Sequence, residues 1–126
     1  MARPRTDDGA AALTPLSYEI LLALADAPRH GYGIIKEIED RSGGGPSTGA
    51  LYLAVQRMEV EGLLEEAPRR PKPDEDARRR YYRLTVAGRR AAQAETRRLA
   101  HLVNVAVEKR LVRGSVLRSV EDGGRG

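Results

Sequence analysis

Residues 47–67, STGALYLAVQRMEVEGLLEEA, change their period midway. Leu51, Val55 and Met58, with Ala54 beside them, recur every three or four residues, which is the spacing of one helix face. Ser47 suits the N-cap, because its hydroxyl accepts from a backbone N–H that the first turn leaves unpaired. Gly62 supplies the left-handed position that ends such a helix. Leu63-Leu64-Glu65-Glu66-Ala67 then reads as a short strand. The stretch predicts a helix over 48–61 running directly into a strand. If Leu51, Val55 and Met58 face a core, then Thr48, Gly49, Tyr52, Leu53, Gln56 and Arg57 lie outward, a face that the core does not need.

Upstream, Leu13-Thr14-Pro15 is a helix entry, with Thr14 as cap and Pro15 at the first helical position, where its missing N–H costs nothing. Leu16, Ile20, Leu21 and Leu24 continue at helical spacing, predicting a helix over 15–27 ended by Pro28. RHGYG, residues 29–33, reads as a turn. Tyr32, Ile35 and Ile38 then give a short helix that stops at Arg41-Ser42-Gly43-Gly44-Gly45-Pro46. Residues 1–12 are polar and aperiodic and are expected to form a disordered arm.

Downstream, PRRPKPDEDA (68–77) reads as a charged, proline-rich loop and RRRYYRL (78–84) as a second strand, so a hairpin follows the third helix. Thr85 caps a long helix over 86–112, and residues 113–126 read as a flexible tail. Three short helices followed by a two-stranded hairpin are the order of a winged helix-turn-helix. The fold class expected is therefore mainly α with a small β-hairpin, with a DNA-binding domain over 13–84 and a separate helix over 85–112.

Charge distribution narrows the partner. The chain has 126 residues, net charge +4 and a pI near 9.8. Residues 1–68 are net acidic, whereas residues 69–84 carry seven basic and three acidic side chains. A basic block beside an acidic-to-neutral body points to a polyanion, double-stranded DNA before membrane. In a strand Arg78, Arg80, Tyr82 and Leu84 share one face and Arg79, Tyr81 and Arg83 the other. Tyr82 and Leu84 are assigned to the core, and Arg78, Arg79 and Arg80 to phosphates or a minor groove. On the third helix, Gln56 suits adenine, Leu53 a thymine methyl, and Thr48 or Tyr52 phosphate oxygens; Gly49 allows close backbone approach, and Arg57 is the helix's one cation.

On the last helix, Ala92, Leu99, Leu102, Val103, Ala106 and Val107 form one apolar stripe, more than a domain of this size needs for itself. A second copy of the chain is the expected cover, giving a homodimer. Catalysis finds no support: there is no cysteine, His30 and His101 stand apart from any metal-ligand spacing, and GYG and GGG match no nucleotide-binding fingerprint. No cofactor and no metal are expected. No apolar run reaches the length of a membrane span, and a cytoplasmic protein is expected. The rival reading is a winged helix used to dock an acidic protein, without preference for a DNA sequence.

Taken together, His30-Gly31-Tyr32-Gly33, Leu51-Tyr52, Arg57-Met58-Glu59, Glu61-Gly62-Leu63-Leu64 and Tyr82-Arg83-Leu84-Thr85 with Gly88 resemble the PadR family of transcriptional regulators over about residues 13–112. The resemblance implies a homodimeric winged-helix repressor, joined through its C-terminal helix, with a palindromic operator and a small-molecule effector near the dimer interface. It also implies that Tyr52 contacts DNA. Ala50 stands where many relatives have threonine, and residues 85–112 lack the tryptophan that relatives use to stack flat drugs. An effector here would be held by aliphatic side chains, His101, Asn104 or tyrosines of the N-terminal helices.

Overall fold

The computed structural model describes residues 13–68 and 79–113. Arg78, the N-terminal arm, most of the hairpin loop and the chain from Gly114 onward lie outside the described residues. The elements run α1 (Pro15–Ala23), β1 (Arg29–His30), α2 (Gly31–Ser42), α3 (Thr48–Val60), β2 (Leu64–Glu66), β3 (Tyr81–Leu84) and α4 (Val86–Glu108). The chain is mainly helical with one small antiparallel sheet. It divides into two units, Met1–Glu95 and Thr96–Gly126, with the boundary inside α4.

In the first unit, Ile20, Leu21, Ile34, Ile38, Leu51, Val55, Met58, Leu64 and Tyr82 form the buried core. The caps read from the sequence are in place. Thr14 Oγ1 accepts from Ser17 N–H at 3.0 Å, and Ser47 Oγ accepts from Ala50 N–H at 3.1 Å. Gly62 follows α3 with φ of 79°, a backbone state that costs an L side chain about 1–2 kcal/mol.

Four expectations need correction. First, α1 ends at Ala23 rather than residue 27. Proline at position 28 steers Ala27 away from helical geometry. The carbonyls left over at the helix end find side-chain donors instead: Arg29 Nε donates to Ala23 O at 2.7 Å, and Arg89 to Ala25 O at 3.0 Å.

Second, residues 29–33 are not a turn. Arg29 and His30 form a strand paired antiparallel with Tyr82 and Tyr81, and α2 begins at Gly31. The sheet therefore has three strands in the order β1-β3-β2, not the two of a simple hairpin. Third, α2 buries Gly31, Ile34, Ile35 and Ile38, and Tyr32 points outward, 57% exposed. Fourth, β3 starts at Tyr81 rather than Arg78, and α4 stops at Glu108 rather than residue 112.

The second unit contains the C-terminal part of α4 and its ending. Leu111 N–H donates to Ala106 O at 2.9 Å and Arg110 N–H to Val107 O at 3.0 Å. These paired bonds close the helix in a Schellman motif, with Arg110 at a φ of 66° in the position that glycine usually fills.

A tight junction joins α3, β2 and the start of α4. Thr85 Oγ1 donates to Gly62 O at 2.6 Å and accepts from Gly88 N–H at 2.9 Å, while Thr85 N–H donates to Leu63 O at 3.2 Å. Gly88 lies so close to the Leu63 carbonyl that a Cβ there would overlap it. Gly88→Ala must therefore push α4 off the domain and is expected to lower stability by about 1–3 kcal/mol. Gly49→Ala, where open space surrounds the added methyl, is expected to raise it by about 0.5–1 kcal/mol. Denaturant unfolding of the two variants checks both signs.

Candidate nucleic-acid interface

The outward face of α3 forms as the spacing predicts. Leu51, Ala54, Val55 and Met58 are buried, and Thr48, Gly49, Tyr52, Leu53, Gln56 and Arg57 are exposed. Leu53 is 69% exposed, an apolar side chain standing out in solvent. Arg57 is less available than its position promised. Its Nη2 donates to Ser17 Oγ at 2.9 Å, and its Nε lies 3.9 Å from Glu61, so it ties α3 to α1.

Positive charge reaches this face from the residues just before β3. Tyr82 is inward and nearly fully buried, and Leu84 packs on the core from the same strand face. Strand alternation then sends Tyr81 and Arg83 the other way. Arg83 Nε donates to Glu65 on the neighbouring strand at 2.8 Å, where the two residues are register partners. Arg79 and Arg80 are exposed just before the strand.

Between α3 and this basic edge runs a groove of about 370 Å³, lined by Tyr52, Val55, Gln56, Glu59, Arg79, Arg80 and Tyr82. The structure thus brings together four of the residues predicted for DNA, Tyr52, Gln56, Arg79 and Arg80. Thr48, Gly49 and Leu53 are exposed on the same helix but do not line the groove.

Tyr52 lies across the start of α2. Its hydroxyl occupies the space that a Cβ on Gly31 would need. Gly31 therefore lets the α3 tyrosine sit down on α2 while 40% of it stays exposed.

His30, unassigned from sequence, sits beside this edge. Its Nδ1 accepts from Gly33 N–H at 3.0 Å and caps α2. Tyr32 stacks on its ring with centroids 6.3 Å apart, and Tyr81 meets it edge-on at 5.1 Å. Arg79 Nη1 is 2.9 Å from its Nε2. The helix cap and the strand pairing that create this cluster need two residues of strand, too few to leave a period in the sequence.

On α4, Ala92 packs with Ala91 against the domain core. Leu102 is 48% exposed, and Leu99, Val103, Ala106 and Val107 are partly exposed. Among the described residues no helix is long and apolar enough to cross a membrane, and no group of three or more acidic or histidine side chains is placed to hold a metal.

An exposed helix face set beside a basic strand edge, on three helices and a three-stranded sheet, defines a winged helix-turn-helix module. Residues 20–94 match the family described as "Transcriptional regulator PadR-like family". The chain is 25% identical to a PadR family transcription regulator from Clostridium difficile R20291, with a TM-score of 0.64 over 74% of this chain and 95% of that one. Bacillus subtilis PadR in complex with operator DNA shares the fold, with a TM-score of 0.53, 20% identity, and coverage of 62% of this chain and 45% of that one. An uncharacterized 37.1 kDa protein in transposon TN4556 of Streptomyces fradiae is 41% identical over 83 residues, which are 66% of this chain. The matched segment spans only 22% of that relative's length. The chain belongs to the PadR-like family of transcriptional regulators, whose members are regulators of transcription and not enzymes.

The phenol of Tyr82 is shifted by its place in the groove. Burial raises its phenol above the ordinary value of 10.0, and the Glu59 carboxylate and Tyr52 push the same way; Arg80, by charge and hydrogen bond, pulls back. The folded state thus holds this proton more tightly than the unfolded chain does. Its contribution to stability is complete below about pH 10 and is lost as pH rises through the shifted value. An absorbance titration of the tyrosines should show one ionising late, and Tyr82→Phe should remove that late component.

Proposed function

We propose that the chain is a transcriptional repressor that binds a palindromic operator as a homodimer. The observation that carries this reading is the groove in which the exposed α3 residues Tyr52 and Gln56 face the Arg79–Arg80 edge. Gln56 provides an amide for a base edge, and the arginines provide charge for phosphates, since the one cation of α3, Arg57, is tied to Ser17. Thr48, Gly49 and Leu53 extend the reading face along the first turns of α3; Arg78, expected for the same role from the sequence, lies outside the described residues. Arg57 acts here through its tie to Ser17, holding α3 at its angle. The operator DNA captured with Bacillus subtilis PadR supports the assignment of the ligand.

The proposed dimer uses the exposed apolar side chains of α4, Leu99, Leu102, Val103, Ala106 and Val107. Two leucines, one of them half-exposed, and three smaller apolar neighbours on one helix are the material of a two-fold seam. Ala92, expected in the seam, is partly buried and packs against the domain core. A two-fold dimer presents two α3 helices to half-sites about 34 Å apart. A small-molecule effector belongs to the same proposal. The described α4 has no Trp, Tyr or Phe, so the effector is held by aliphatic side chains, His101, Asn104 or tyrosines of the N-terminal helices rather than by stacking on a tryptophan of this helix.

Selection of bound duplexes from a random pool tests the reading. A two-fold symmetric motif with half-sites one turn apart is expected, and enrichment of no motif would favour docking of an acidic protein. On the selected site, Arg79→Ala with Arg80→Ala is expected to weaken binding to every sequence and to flatten the salt dependence by about 0.9 for each phosphate no longer neutralised.

Leu102→Asp puts a charge in the proposed seam. Sedimentation is expected to show monomers, with half-sites bound independently; dimers that survive the change would return this helix face to a role within one chain.

A further inference from the structure

We propose that the Tyr82 hydroxyl is a positioning group for DNA binding: in the groove beside α3 it holds the Arg80 guanidinium ready for a backbone phosphate. The inference rests on the DNA-binding reading above and deepens it by naming what aims one of its cations. It starts from the choice of side chain. Tyr82 is 4% exposed and belongs to the core cluster with Met58 and Leu64. A phenylalanine would fill that seat with no polar atom to satisfy, whereas a buried phenol oxygen needs a hydrogen-bond partner. The partner is Arg80, which hydrogen-bonds the hydroxyl in the groove that both side chains line.

The pairing follows from the chain. Two residues apart in an extended segment, Arg80 and Tyr82 fall on one face, and the arginine stem is long enough to bring its head to the phenol oxygen. A guanidinium only donates, so the oxygen accepts, and the arginine itself stays exposed beside the mouth of the groove. The nature of this acceptor matters. Arg57 and Arg83 meet the carboxylates of Glu61 and Glu65, which orient a guanidinium and also offset its charge. A phenol oxygen orients the guanidinium and leaves its charge for an outside anion. Binding by a loose arginine costs the rotamer freedom of its long stem; a stem already held by Tyr82 has less to lose. Because the Tyr82 ring is fixed in the core, the point from which Arg80 reaches out is fixed relative to Tyr52 and Gln56 on α3.

The test separates the ring from its hydroxyl. Tyr82→Phe keeps the ring in the core and removes the oxygen alone. It is expected to bind both the selected operator and unrelated duplexes about three- to tenfold more weakly, the value of ordering one long side chain. In the Arg80→Ala background the same change is expected to cost nothing further, because the hydroxyl acts only through that arginine. A purely structural hydroxyl would cost the same in both backgrounds. A second measurement needs no change in the core: Arg80 pulls the Tyr82 ionisation down, so Arg80→Ala should move the late component of the tyrosine titration still later. Wild-type affinity in Tyr82→Phe, fully additive losses in the double variant, or a late component that Arg80→Ala leaves in place would overturn the positioning role while leaving the DNA-binding reading intact. A wild-type chain that binds no duplex at any salt would overturn both.

Discussion

The inward seat of Tyr82 is the constraint on which the functional edge depends. β3 is the central strand, bonded to β1 on one side and β2 on the other, and Tyr82 is the register partner of Arg29 and of Glu66. Burying its ring against the helices fixes which face of β3 looks out. Tyr81 then falls opposite His30, Arg83 opposite Glu65, and the chain before the strand delivers Arg79 and Arg80 to the mouth of the α3 groove. A slip of one residue would bury Tyr81 or Arg83 and send Tyr82 into solvent. The short strand is held against such a slip by the burial of one large side chain, worth about 1.5–3 kcal/mol, more than its few ladder bonds contribute net.

Charge is divided between holding the fold and meeting a ligand. Arg29 pairs with Asp26 and Glu37, and Arg41 with Glu37 and Glu19, a chain of ion pairs that joins α1, β1 and α2. These side chains are partly exposed, so each pair is worth no more than about 1 kcal/mol, and their value lies in orienting neighbouring elements. Arg57 and Arg83 are likewise engaged with Ser17 and Glu65. In the described part of the wing, the positive charge turned toward the α3 groove is that of the Arg79–Arg80 edge. The net acidic character of α3 and β2 does not oppose this. Glu65 neutralises Arg83 and Glu61 faces Arg57, which leaves Glu59 as the acidic side chain that lines the groove.

The starts of α1 and α3 and the end of α3 were legible because these helices carry their own punctuation. Thr14, Ser47 and Gly62 act as the caps their chemistry predicts, and the buried face of α3 follows from residue spacing alone. β1 was not legible, for a physical reason. Two residues have no alternation to detect, and Arg29 and His30 become a strand only because β3 offers an open edge to pair with. The same pairing brings His30 to Tyr81 and Arg79, so the part of the site that depends on it was hidden as well. Gln56 and Tyr52 could be proposed from the sequence because the helix period decides their facing, whereas Arg79 and Arg80, which precede β3, were marked by the density of positive charge and not by strand alternation. The engagement of Arg57 could not, since Ser17 is forty positions away and nothing local marks it as a partner.

The residues of the proposed DNA face are also residues that hold the fold together, and this governs how the edge responds to change. Tyr52 rests on Gly31, the first residue of α2; His30 caps that helix; and Arg79 reaches from His30 to the α3 groove. The start of α2 therefore supports both the α3 tyrosine and, through His30, the Arg79 edge. A displacement of α2 would therefore move the α3 tyrosine and the Arg79 edge of the proposed DNA face at once. Such coupling suits a regulator, because a small shift of one helix start withdraws affinity and selectivity together rather than loosening one and sparing the other.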